Sequence, residues 1–141
     1  MLHLKVSANR ESLEDLARWQ NACLKDKKKK RQPLLLQHVT RLMPKRKDEI
    51  LNGGSIYWII KSRIVARQKI VDLKSVQKNG RSHFVITYEP KLTPVAQRRT
   101  QKIEGWRYLA AKDAPPDIAA DKAANSLPED LKIELSELGL L

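Results

Sequence analysis

An α+β domain is the fold class this sequence predicts: a curved, mixed but mainly antiparallel sheet, or a partly open barrel, with flanking helices. Three observations predict it. Helical signals alternate with extended segments over the first 54 residues, and extended segments then dominate from Ser55 to Glu89. Asn79-Gly80 sits between two of those segments as a hairpin turn signal. The chain has 141 residues, 41% of them hydrophobic, enough for one domain with a single core.

The elements follow in order. Leu2 to Ala8 alternates apolar and polar residues, as a half-buried strand does. Ser12 and Asp15 approximate a capping box, so a helix is predicted from there. Leu13, Leu16, Ala17, Ala22, Cys23 and Leu24 make its apolar stripe. The run Lys27 to Arg31 suits the negative end of the helix dipole, and Pro33 forbids continuation. Leu34 to Pro44 reads as a second strand. "KRKDEILNGG" reads as one or two helical turns stopped by Gly53 and Gly54. The apolar stretch Ser55 to Leu73 comes next, then the hairpin. If its turn is a two-residue one, Leu73 pairs with Ile86 and Val71 with Tyr88. Pro90 and Pro94 bracket a loop or edge segment. A short strand is expected near Trp106 to Leu109. Ser126 and Glu129 have capping-box spacing and start a terminal helix carrying Leu131, Leu135 and Leu138. Residues 1–112 are thus a basic α+β domain. Residues 113–141 are an acidic segment with a short helix, expected to dock on that domain.

The formal net charge is +12, and it is unevenly placed: Met1 to Lys112 carries +17 and Asp113 to Leu141 carries −5. A cationic body of this kind attracts polyanions. Nucleic acid is the first such partner, and an acidic protein or an anionic membrane surface also fits. No apolar run approaches the ~20 residues of a membrane-spanning helix. The N-terminus lacks secretory-signal features, so a cytoplasmic location is expected. A single cysteine, Cys23, excludes an intramolecular disulfide and a multi-cysteine zinc site.

Within "SIYWIIKSRIVARQKIVDL", the even positions Ile56 to Ala66 are nearly all apolar, whereas the odd positions collect Tyr57, Lys61, Arg63, Arg67 and Lys69. An unbroken strand from Ile56 to Leu73 would reach ~60 Å at ~3.3 Å per residue, so a bend or bulge is expected. Its position decides whether the four cations share a face. Exposed strand faces carry Lys and Arg routinely. Here no acid interrupts them, Tyr57 lies beside them, and Lys45, Arg46 and Lys47 add charge upstream. This reads as a nucleic-acid surface for RNA or a single strand. Lys61, Arg63, Arg67, Lys69, Lys45 and Arg46 are its phosphate contacts, and Tyr57 offers a stacking ring.

Two other readings compete. The cationic face could dock an acidic protein, with the anionic C-terminal segment competing for it. Alternatively Trp106, Arg107 and Tyr108 could line a pocket for a small ligand or a substrate. No catalytic residue, metal site or cofactor is assigned. His3, His38 and His83 lack metal-ligand spacing. Gly53-Gly54-Ser55 precedes a strand and lacks the G-K-[ST] ending of a phosphate-binding loop.

Three strings together, "HVTRLMPKR", "GGSIYWIIKSRIVARQKIVDL" and "GWRYLAAKDAPPDI", resemble an uncharacterised family of small bacterial proteins, a domain of unknown function. The resemblance spans Met1 to Ile118 and implies no activity and no catalytic residue. It implies a glycine after "WIIK", where this chain has Ser62, which argues against a tight bend at that point. The run Ile50 to Leu73 is also similar in style to pseudo-barrel modules that bind RNA or modified bases, by analogy of fold.

Overall fold

The computed structural model describes residues 2–41 and 43–118. The described elements are β1 (Leu2–Ser7), α1 (Leu13–Lys29), β2 (Leu36–Thr40), α2 (Lys47–Leu51), β3 (Ser55–Ile60), β4 (Arg63–Lys78), β5 (Arg81–Tyr88), β6 (Thr93–Arg99) and β7 (Trp106–Ala110), followed by one 3-10 turn at Ala111–Asp113. The predicted terminal helix from Ser126 lies outside the described residues.

The architecture is α+β, as the sequence predicts. It is an open seven-stranded sheet ordered β2-β5-β4-β3-β1-β7, with β6 also on β4. All pairs are antiparallel except β1 with β3. The long β4 organises the fold. Its first half pairs with β3, and β6 then β5 run along it in the opposite sense.

The long segment has the expected break, and it is a full reversal: the chain folds back at Lys61-Ser62, so Ile60 pairs with Arg63. Both turn residues are left-handed, φ 50° and 60°, as a two-residue hairpin turn with the right twist requires. Serine thus occupies a tight bend that glycine would make without strain. Two bulges follow, at Val65 and at Val71. The first moves the inner face from odd to even positions, and the second moves it back. Hence Leu73 pairs with Ile86 as predicted, but Tyr88 faces Ile70, while Val71 bulges out and is 45% exposed.

β3 is buried along its whole length, so both sheet faces are covered. On one face Leu4, Val6, Ile56, Trp58 and Ile60 pack with Leu16 and Leu24 of α1, Ile50 of α2 and Phe84, Ile86 and Tyr88 of β5. On the other, Tyr57, Ile59, Ile64, Val95 and Leu109 form a second cluster, against which Ile103 and Ala114 pack.

α1 starts where the capping signal says it should. The Ser12 hydroxyl accepts from the Asp15 amide at 3.1 Å, and the Asp15 carboxylate accepts from the Glu11 amide at 3.2 Å. Its buried stripe differs from the predicted one: Gln20 and Asn21 are buried, and Ala22 is exposed. Gln20 lies four residues from both Leu16 and Leu24, on the core line of the helix. It is accepted there because Gln68 meets it. Gln20 Nε2 donates to Gln68 Oε1 and Gln68 Nε2 donates to Gln20 Oε1, both at 2.8 Å. Trp58 Nε1 also donates to Gln68 Oε1 at 2.8 Å.

Candidate nucleic-acid interface

The hairpin turn divides the four cations of the long segment. Lys61 sits in the turn. Arg63 shares the helix-bearing face with Ile60, whereas Arg67 and Lys69 pair with Tyr57 and Ser55 on the opposite face. They do not form one stripe, because the turn and the Val65 bulge both intervene.

Arg67 is neutralised. Its Nε and Nη2 donate to the two carboxylate oxygens of Asp117 at 2.6 and 2.7 Å. This planar, two-bond pair holds the Pro116–Ile118 segment against β6, where the Ala96 amide donates to the Pro116 carbonyl and the Ile118 amide to the Pro94 carbonyl. The hydrogen bonds from Arg67 keep the Asp117 carboxyl below the usual carboxylate range. A depressed carboxylate pKa means that the pair's stabilisation is fully present above the unfolded value of ~3.9 and is lost as pH falls through the folded value. Asp117→Asn should therefore cost about 1 kcal/mol or less at neutral pH, the side chains being 31% and 42% exposed. The gap between wild type and variant in thermal melts should close towards pH 3. A gap independent of pH would refute the assignment.

Tyr57 is 5% exposed, and its ring meets His3 edge-on at 4.9 Å. It presents no ring face to a base. His3 Nδ1 accepts from the Ser55 amide at 3.0 Å, and burial above all holds its pKa below the ordinary imidazole value, so the ring is neutral. Lys45 and Arg46 lie elsewhere, before α2. Their amides donate to the Tyr108 hydroxyl at 2.8 and 3.2 Å, and the Arg46 guanidinium pairs with Glu49.

Trp106 and Tyr108 meet edge-on at 5.0 Å on the helix-bearing face, whereas Arg107 faces the other way beside Lys5. The three therefore do not converge on one pocket. Tyr108 has a structural task, anchoring the approach to α2.

The end of the sheet holding the Lys61-Ser62 turn is different. Arg63 lies directly opposite Arg99, and Lys5 directly opposite Arg107. Arg98 pairs with Ile64. The Lys5 ammonium donates to Thr100 Oγ1 at 3.1 Å, and the Thr100 amide donates to the Ser62 carbonyl at 3.0 Å, which draws the β6–β7 connection over the same end. Arg10 and Lys102 border it as well, in a hollow of about 270 Å³ shared with Lys61. Opposed like charges destabilise a strand pair, and two such pairs flank this end, Arg63–Arg99 on the helix-bearing face and Lys5–Arg107 on the other. Among the described residues, Glu11 lies 3.7 Å from Lys61, with both side chains largely in water. Beside this end the Arg10 guanidinium lies 4.7 Å above the Trp19 ring, which is 37% exposed. Sequence reasoning missed Lys5, Arg10, Trp19, Arg98, Arg99 and Lys102, which sit in ordinary strings until the fold brings them to one end.

Among the described residues no group of three or more His, Cys, Asp and Glu side chains could hold a metal ion. No described helix is long and apolar enough to cross a membrane. Neither a curated protein nor a solved structure matches the chain. One family model does match, over residues 3–141, which extends the resemblance seen in the sequence through the acidic C-terminal segment. The chain belongs to that family, described as a protein of unknown function, DUF1489.

Proposed function

We propose that this protein binds nucleic acid, RNA or a single strand, through phosphate contacts at the sheet end that holds the Lys61-Ser62 turn. The observation that carries the reading is the pair of directly opposed like charges, Arg63 with Arg99 and Lys5 with Arg107. Such pairs work against strand pairing, and a polyanion that wraps the sheet end and reaches both faces turns the repulsion into binding. Of the residues named from the sequence, Lys61, Arg63 and Arg107 belong to this surface. Lys69, Lys45 and Arg46 lie apart from it, and Arg67 is held by Asp117. The exposed Trp19 under Arg10 supports a strand with accessible bases, since base stacking on an aromatic ring is worth ~1–3 kcal/mol.

The test is the double variant Arg99→Glu, Arg107→Glu. Each substitution replaces a like-charge pair with an opposite-charge pair, so the melting temperature should stay level or rise. Affinity for mixed-sequence RNA and single-stranded DNA at low salt should fall about tenfold or more. The slope of log affinity against log salt should become shallower by about 2. Undiminished affinity would overturn the proposal.

A further inference from the structure

We infer that the hollow at this end is a binding site for a phosphomonoester, the terminal phosphate of a strand. This deepens the nucleic-acid reading and rests on it for the source of the phosphate. Arg10, Lys61 and Lys102 are three cationic residues lining about 270 Å³, with the Arg10 guanidinium also lying over the Trp19 ring. Ser7, Asn9 and Ser62 line it as well, with the Ser7 hydroxyl donating to Asn9 Oδ1 at 3.2 Å. Ile59, Ile60 and Ile103 form its apolar part, and low polarity behind a charge strengthens its attraction for an anion.

Charge selects the ligand. At ~30 Å³ per water the hollow takes about nine waters, room enough for one phosphate with its sugar. A terminal phosphate carries up to two negative charges and three free oxygens, where an internal diester carries one charge and two. Three cations with three neutral polar side chains match the former better.

The backbone shapes the hollow. Among the described residues, five non-glycine residues have positive φ, and three of them, Asn9 (53°), Lys61 (50°) and Ser62 (60°), line this hollow. The two-residue hairpin turn requires this of Lys61 and Ser62, and so fixes both at the hollow. The turn also leaves the Lys61 and Ser62 amides outside the β3–β4 ladder, at the rim of the hollow. The Lys61–Glu11 pair is loose at 3.7 Å and exposed, so an incoming phosphate can displace it.

Oligonucleotides of one sequence carrying a 5′-phosphate, a 3′-phosphate or only hydroxyl ends separate the two readings. In anisotropy titrations at low salt, a phosphorylated end should tighten binding about tenfold. Lys102→Glu should reduce that preference to less than about twofold. The double variant Arg99→Glu, Arg107→Glu should weaken all three ligands alike and keep the preference. Equal affinity for all ends in the wild-type protein would overturn the terminal site and leave the broader reading standing. Failure of every oligonucleotide to bind would overturn nucleic acid as the source. A nucleoside monophosphate would then decide the site itself. Amide shifts at Lys61, Ser62 and Lys102 on its addition would support a small-phosphoester site, and their absence would overturn it.

Discussion

Gly54→Ala should destabilise the fold by about 3 kcal/mol or more, read as a drop in denaturant midpoint without a change in slope. The cause is contact, not torsion. Gly53, one residue earlier, is the left-handed one, at φ 92°. Gly54 is where three elements meet. Its amide donates to the Ile50 carbonyl at 2.7 Å, closing α2, and its carbonyl accepts from the Ile70 amide at 3.0 Å, tying α2 to β4. A methyl group there would run into the carbonyl oxygens of Leu2 and Ile50. Both are backbone atoms, so neither can rotate aside as a side chain would. Relief requires β1 to move away from α2. Gly53→Ala should cost less, about 1–2 kcal/mol, since it asks only for a left-handed alanine. The reverse ranking would show that the close approach is not what confines position 54 to glycine.

Gln68→Leu should cost about 3–5 kcal/mol, although leucine is similar in size and more apolar. Gln68 is 1% exposed, and its amide is the centre of a buried network. Its oxygen accepts from Trp58 and Gln20, and its nitrogen donates to Gln20 and to the Glu89 carbonyl at 3.1 Å. Removing it strands an indole N–H, both ends of a buried amide, and a carbonyl. Each stranded group costs roughly 1–3 kcal/mol, partly recovered by relaxation. Trp58→Phe should cost less in the Gln68→Leu background than in the wild type, because its N–H has already lost its acceptor. Additive costs in that cycle, or a Gln68→Leu cost under about 1 kcal/mol, would contradict the network. The same network explains why α1 tolerates a glutamine in its core line. With net stabilities of roughly 5–15 kcal/mol for domains in general, either substitution removes a large share of the total.

The local signals were legible from the residues. Ser12 caps α1, Pro33 lies beyond its end, Asn79-Gly80 makes the β4–β5 turn, and Leu73 meets Ile86. Each depends on chemistry within a few residues of the signal. The break at Lys61-Ser62 was not legible, because neither residue is a usual left-handed former and the apolar alternation continues across it. What sets the turn is the fit of β4 back along β3, with the bulge at Val65 restoring the burial of Ala66 and Ile70. That pairing is decided across the sheet and not in the turn itself. Two misplacements of site residues followed from it. Tyr57 faced the second core cluster and not solvent, and Arg67 met a carboxylate fifty positions later in the chain.

By itself the sequence determined the class of fold, the number of helices before Ser55, and the excess of positive charge in residues 1–112. Only the tertiary structure decided which cations are neighbours. Composition and alternation are properties of single segments, so they report how much charge a strand carries and which residues can be buried. Neighbourhood depends on the turn, the bulges and the strand order, which bring Lys5, Arg10, Arg63, Arg99, Lys102 and Arg107 to one end of the sheet from five separate stretches of chain.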